Sequence, residues 1–384
     1  MKKVLLILLW LTPAVFAAED DGFVPLFNGR DLTGWVNANC APETWSVRDG
    51  LIHCTGEPTG ALRTERQYEN FILEADWHFL GSGGNSGIFI WATPIAAPGV
   101  PFLRSIEVQV LDHGFNIPGK NEWYTTHGDV FPIHGATMKP FGRHNGDRSF
   151  PSEERSKGSP EWNHYRIVCS NGVIRLSVNG KEVSGGADCN YRKGYLGLES
   201  EGAPVEFRNL RIKELPSSDA PAGLTAPEDA GLRTIFTGLD LRGWQTSAAT
   251  AARWQAGGNR IALKAGETNG AAMLWMEKKY RDAKLILDCR IENPAQGSKA
   301  VVPVVKLQII PGLDYDIKLT GATNYYQRFS ISLKGRDLVA HRGDRVIDMF
   351  TIPIGDDGKK RFGLGDTGGN VEFMNLYARE LPSR

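Results

Sequence analysis

The chain has 384 residues, and 44 Lys and Arg balance 44 Asp and Glu, so its formal net charge is zero. That balance leaves no electrostatic footprint for nucleic acid or for an anionic membrane surface as partner. The length admits two domains with cores of their own, and 44 Gly and 10 Trp among many Gly/Asn/Asp turns favour short strands over helices.

The chain opens with basic Met1-Lys2-Lys3, an apolar run from Val4 to Leu11, a break at Thr12-Pro13 and small residues up to Ala17-Ala18. This pattern predicts a signal peptide over residues 1–18, cleaved after Ala17 or Ala18, and export to the periplasm or the medium. The alternative is an ordinary buried N-terminal helix. The run is too short to cross a bilayer and no second long apolar run follows, so no membrane span is expected. Five cysteines, Cys40, Cys54, Cys169, Cys189 and Cys289, form no CxxC. In an exported protein Cys40–Cys54 or Cys169–Cys189 can pair; otherwise they are buried thiols.

Strand patterns then recur at short spacing. Phe71, Leu73, Ala75 and Trp77 alternate with polar neighbours, as do Ile106, Val108 and Val110. Tyr165–Cys169, the turn Asn171-Gly172 and Val173–Val178 read as a hairpin. A last strand covers Val205–Ile212, and no amphipathic helix of three turns is evident.

The whole pattern is then repeated. Phe23-Val-Pro-Leu-Phe-Asn-Gly-Arg-Asp-Leu-Thr-Gly-Trp35 matches Leu232-Arg-Thr-Ile-Phe-Thr-Gly-Leu-Asp-Leu-Arg-Gly-Trp244. The offset is 209 residues at the start and 166 at the closing Val-Glu-Phe-x-Asn-Leu blocks, so the second copy lacks 43 residues from its middle. Small, Pro-containing residues 217–229 read as a linker between a first copy at 19–216 and a shortened second at 230–384. The expected fold is all-β, with two jelly-roll sandwiches in tandem. The paired Phe27/Phe236 and Trp35/Trp244 either stack on sugars or wedge the edge of each domain against its core.

Leu26-Phe-Asn-Gly-Arg-Asp-Leu-Thr-Gly-Trp35 resembles the opening block of the 3-keto-disaccharide hydrolase domain family. Asn85–Phe89, Glu107–Asp112, Glu161–Asn163 and Val205–Ile212 resemble its later blocks in the right order, covering Phe23 to Pro216. The resemblance implies a concanavalin-like or laminarin-G-like jelly roll, export from a bacterial cell and action on 3-keto-glycosides or related disaccharides. The family's Gln-Asp/Asn-His-Gly turn is replaced here by Glu199-Ser-Glu201-Gly202. Residues 126–135 also depart from the family's common version.

Chemistry is expected on Glu107-Val-Gln-Val-Leu-Asp112. Alternation puts Glu107 and Gln109 on one face, opposite Ile106, Val108 and Val110, and a bulge can add Asp112. Glycoside cleavage needs two carboxyl groups about 5 to 9 Å apart. The spacing is similar to the Glu-x-Asp-x-x-Glu strand of laminarinase-type glycosidases, with Gln and Asp substituted. A 3-keto-glycoside offers a second route. Its ketone acidifies the C2 proton, a base removes that proton, the C1 group leaves, and water can add back. Glu107 or His127 is the candidate base, with Asp129, His134 or a divalent cation as acid or electrophile; His127 and Asp129 flank a glycine and can share a cation. Asn85 is a candidate for binding a sugar hydroxyl and Trp91 for stacking on a pyranose. The long middle segments add Trp123, Tyr124 and Arg143 as substrate contacts, with Glu201 from the altered turn. Arg143 to Lys157 otherwise reads as solvated surface.

In the second copy Val305–Ile309 is matched loosely to the Glu107 strand, which puts Lys306 near the Glu107 position. Nothing there corresponds to His127 or Asp129. This copy is expected to be non-catalytic, binding carbohydrate through Trp275, Tyr325 or Tyr326, or bracing the first. Two functions remain open: an exported enzyme cleaving 3-keto-glycosides in the first domain, or a non-catalytic carbohydrate-binding protein with two lectin-like modules.

Overall fold

The computed structural model describes residues 21–120, 122–263, 273–291, 302–352, 358–365 and 369–382. The proposed signal peptide lies outside them. Among the described residues no helix is long and apolar enough to cross a membrane.

Strands dominate the regular structure of the described residues, and they form four sheets. Between Val24 and Glu214 a nine-stranded sheet packs on an eight-stranded one; between Arg233 and Glu380 an eight-stranded sheet faces a five-stranded one. The expected all-β class with two jelly-roll sandwiches is what the chain adopts. Its only α-helix among the described residues, Ala248–Arg253, is six residues long and capped by Ser247.

Period-two alternation builds the first sandwich. Phe71, Leu73, Ala75, Trp77 and Phe79 point inward from Phe71–Phe79 and meet Ile88, Ile106, Val108, Val110 and Leu198 of the facing sheet. The Asn171-Gly172 turn has positive φ at both residues, 48° and 75°. That is the twist-matched geometry for a two-residue hairpin, and it sets Ser170 opposite Val173.

Trp35 and Trp244 are buried at the sandwich edges, as are Phe27 and Phe236 in the two cores. Trp35 donates its Nε1–H to the Leu26 carbonyl. They wedge the fold together and do not present a stacking face. All five cysteines are buried free thiols.

Residues 217–229 do not hang loose. Glu69 accepts hydrogen bonds from Ser217, Ser218 and Ala220, and Asp229 binds the fully buried Arg63 at 2.6 Å. The segment runs pinned along the first sandwich.

Sheet order corrects the match made for the second copy. In the first copy Gly60–Thr64, Tyr195–Ser200, Asn85–Ala92 and Ser105–Leu111 lie side by side; in the second the order is Leu274–Tyr280, Lys360–Gly365, Val304–Ile310 and Leu313–Lys318. Val304–Ile310 therefore stands where Asn85–Ala92 stands, and Leu313–Lys318 where the Glu107 strand stands. Gly363, the counterpart of Gly197, pairs with Lys306 as Gly197 pairs with Phe89. Lys306 pairs with Asp316 as Phe89 pairs with Glu107. Lys306 thus takes the place of Phe89, and Asp316 that of Glu107. There the carboxylate is half exposed and tied to Lys306.

Candidate active site

The outer face of the eight-stranded sheet is divided in two. One half is covered by the 93–104 loop, whose Leu103 and Phe102 pack on Phe89, Ala92 and Tyr195. The other half carries the polar residues. Ile106, Val108 and Val110 face the core as expected, which turns Glu107 and Gln109 to this outer side at 6% and 5% exposure. The neighbouring Tyr195–Ser200 strand does the same: Leu196 and Leu198 enter the core, and Glu199 and then Glu201 emerge beside Glu107.

Gly87 permits this crowding. It sits opposite Gln109 between the two carboxyl-bearing strands, and a Cβ there would lie 2.9 Å from Glu107 Oε1. A chain of side-chain amides then fixes the patch. Arg148 Nη1 donates to Gln109 Oε1 at 3.2 Å, Gln109 Nε2 to Asn85 Oδ1 at 2.9 Å, and Asn85 Nδ2 to Glu201. The same Arg148 donates to Asp129 at 3.1 Å and stands 3.3 Å over the Phe131 ring, itself paired with Glu107. The Glu107 carboxyl has no hydrogen-bond partner among the described residues.

Burial and mutual repulsion set the charge state. Burial and the Glu201 charge push Glu107 up to about 8, against the pull of Arg148. Burial, followed by the charges of Glu107 and Glu201, pushes Glu199 well above the usual carboxylate range. Glu199 is 1% exposed, and its Oε2 is an orphaned buried acceptor. Burial also raises Glu201. Three like charges cannot share so dry a patch, so it holds protons at neutral pH. A carboxylic acid beside a carboxylate is the pairing that acid–base chemistry at carbon or at a glycosidic oxygen requires.

The structure thus brings together Glu107, Gln109, Asn85, Glu201 and Asp129, and leaves the other candidates elsewhere. Asp112 stands outside the cluster. Its carboxylate accepts from Gly83 N, Gly114 N, Ser159 N and Ser82 Oγ, and although burial opposes it these donors hold the group down at about 2. It anchors loops. His127 turns to Ser156 at 2.9 Å and lies edge-on to His113; burial, then His113, lowers its pKa. Asp129 is raised by burial, although Thr125 and Arg148 hydrogen-bond its two oxygens. His127 and Asp129 therefore have different hydrogen-bond partners. Among the described residues no group of three or more His, Cys, Asp or Glu is placed to hold a metal ion.

Trp91 is fully buried, packs on Phe71 and donates to the Glu69 carbonyl, so it is core and not a sugar platform. His134 stacks on Phe102 at 5.2 Å and lines a cleft of about 330 Å³ between the two sandwiches. Tyr124 accepts from Ile117 N within its own loop, and Arg143 lies over Phe150 beside a different groove. Trp123 is 62% exposed, with Lys120 over its ring.

Two residues of the patch escaped the sequence reading. Glu199 was visible only as part of an altered turn, although its i, i+2 spacing to Glu201 is the signal for a shared strand face. Arg148 lies in a charged run that the sequence pattern assigns to solvated surface, and only the short strand Arg148–Ser149, beside Val130–Ile133, brings it to the site.

Two antiparallel sandwiches, one with a buried carboxyl patch on the outer side of its eight-stranded sheet, define a tandem jelly-roll protein. A family model described as the 3-keto-alpha-glucoside-1,2-lyase-like domain matches residues 22–213, half of the chain, and the chain belongs to that family. It is 23% identical, over 253 residues, to a 3-keto-disaccharide hydrolase of Bacteroides thetaiotaomicron, across 51% of this chain and 80% of that protein. Among solved structures, a candidate glycosyl hydrolase from Parabacteroides distasonis is 22% identical with a TM-score of 0.40, covering 51% of this chain and 94% of that one. A carbohydrate-binding module from Bacillus subtilis is 15% identical with a TM-score of 0.34, covering 47% and 96%.

Proposed function

We propose that the first sandwich is the catalytic domain of an exported enzyme that cleaves 3-keto-glycosides by acid–base chemistry. The convergence of Glu107, Glu199 and Glu201 on one dry patch carries this reading. Family membership and the Bacteroides relative support 3-keto-glycosides as the substrate class. Glu201, hydrogen-bonded by Asn85 and less buried than its neighbours, is the member that ionises and removes the C2 proton. The electrons of that C–H bond form the enolate of the C3 ketone and then the C1–C2 double bond, as the C1–O bond breaks. Glu107, protonated at neutral pH, gives its proton to the departing oxygen. Water added across the double bond completes a net hydrolysis. Arg148, which holds Gln109 and neutralises Asp129, is the cation nearest the developing negative charge.

Incubation with 3-keto-trehalose and 3-keto-lactose, with and without chelator, tests this. The expected result is release of monosaccharide that chelator does not change and that Glu107→Gln and Glu201→Gln abolish. Binding of these sugars without any cleavage favours the non-catalytic carbohydrate-binding module instead.

A further inference from the structure

Both sandwiches carry the same device on their larger sheet. An Asp of the long central strand, Asp76 or Asp288, accepts at 2.6 Å from an Asn of the last strand, Asn209 or Asn375. Both Asn residues bulge at positive φ, 51° and 50°. The residue opposite the Asp, His164 or Arg328, bonds it as well. A turn glycine at positive φ, Gly29 or Gly238, borders the same face.

In the second copy this face is filled by the first copy's loops. Asn375 Nδ2 donates to the carbonyls of Ala97 at 3.0 Å and Val100 at 2.9 Å, and its Oδ1 accepts from Asn39. Asp288 accepts from Gly99 N, Arg328 donates to the Ala96 carbonyl, and Tyr377 accepts from Ala96 N. A Cβ on Gly238 would come within 2.7 Å of Pro58. The device therefore grips Ile95-Ala-Ala-Pro-Gly-Val-Pro101 by its main chain, which small and prolyl side chains leave accessible.

In the first copy no described residue fills the corresponding face. Phe27, Gly29, Asp76, His164, Asn209 and Arg211 border a groove of about 640 Å³. A Cβ on Gly29 would meet nothing within 4 Å. Asn209 Nδ2 donates to Asp76, and its Oδ1 has no hydrogen-bond partner among the described residues. His164 is 42% exposed at its side chain.

We propose that this groove docks an extended loop of small and prolyl residues presented by another polypeptide. Asn209 would take its main-chain carbonyls as Asn375 does in the second copy, and Asp76 a main-chain N–H as Asp288 does. Among the described residues the loop of this kind, 95–101, is already held by the second sandwich, and the occupant proposed here is presented by a different molecule.

The probe is a synthetic peptide of residues 93–104, titrated into the full-length ¹⁵N-labelled chain. Saturable shifts are expected at Asn209, His164 and their strand neighbours, at least tenfold weaker in Asn209→Gly and in His164→Ala. Asn209→Gly keeps the left-handed backbone while removing the amide, so the bulge is not strained. No shift in the groove up to the peptide's solubility limit overturns the proposal. So do shifts that Asn209→Gly leaves unchanged, and shifts confined to Asn375 and Asp288, where the peptide merely exchanges with the chain's own loop. Sedimentation that reveals a dimer broken by Asn209→Gly overturns it in favour of a second copy of the chain.

Discussion

Glu107 should make the protein less stable as the pH rises, and the size of the effect can be worked out. Its carboxyl is pushed from 4.5 to about 8, chiefly by burial, so the folded chain keeps a proton that the unfolded chain has released across that window. A group with a raised folded pKa adds stability that is complete below about 4.5 and is lost as the pH passes about 8. At about 1.36 kcal/mol per pH unit, the window of roughly 3.5 units sets a ceiling of about 5 kcal/mol, of which Glu199 and Glu201 share a part through their coupling. Glu107→Gln keeps the shape and removes the titration. Urea denaturation at pH 5 and pH 8, followed by the tryptophans of the first sandwich, should show the variant gaining several kcal/mol on the wild type between the two conditions. In a scanning experiment this is a shift on the order of 10 °C. A gap between the two proteins that is equal at pH 5 and pH 8 would refute the assignment of a buried proton to this carboxyl.

Glu199→Gln should lower kcat on a 3-keto-glycoside by about 10²-fold or more if the orphaned carboxyl takes part in proton sharing, with the fold intact by circular dichroism. Asp112→Ala strips the acceptor from four donors and should cost about 2–4 kcal/mol in denaturant titrations, while kcat at a temperature where the variant is folded stays within a few-fold of wild type. Trp91→Ala should cost about 3–5 kcal/mol by the same measurement, with no selective loss of sugar affinity, because the ring is core. Arg148→Met leaves the Asp129 carboxyl without its ion pair and should raise the apparent pKa of the alkaline limb in the pH–rate profile, since the guanidinium pulls Glu107, the proton donor, downward against burial.

The scaffold was legible because its signals are periodic. Alternating apolar residues at Phe71–Trp77 and Ile106–Val110, the Asn-Gly turns, and a duplicated opening and closing block determine the strands, the hairpin and the pair of sandwiches. Glu107, Gln109 and Asn85 followed from the same alternation. Contacts between segments distant in sequence were not legible. Arg148 reaches the patch through a two-residue strand, and Asp112 leaves it because loop N–H groups from residues 83, 114 and 159 claim its oxygens. The matching of Lys306 to Glu107 failed because that block is the one the duplication shortened. Only hydrogen-bonded register identifies Asp316 as the counterpart.

The most direct test of the acid–base account is NMR of a 3-keto-glycoside incubated with the protein in D₂O. The account predicts deuterium at C2 of the released 3-keto sugar, formed with wild type and lost with Glu201→Gln. Cleavage that leaves the C2 proton in place would contradict it.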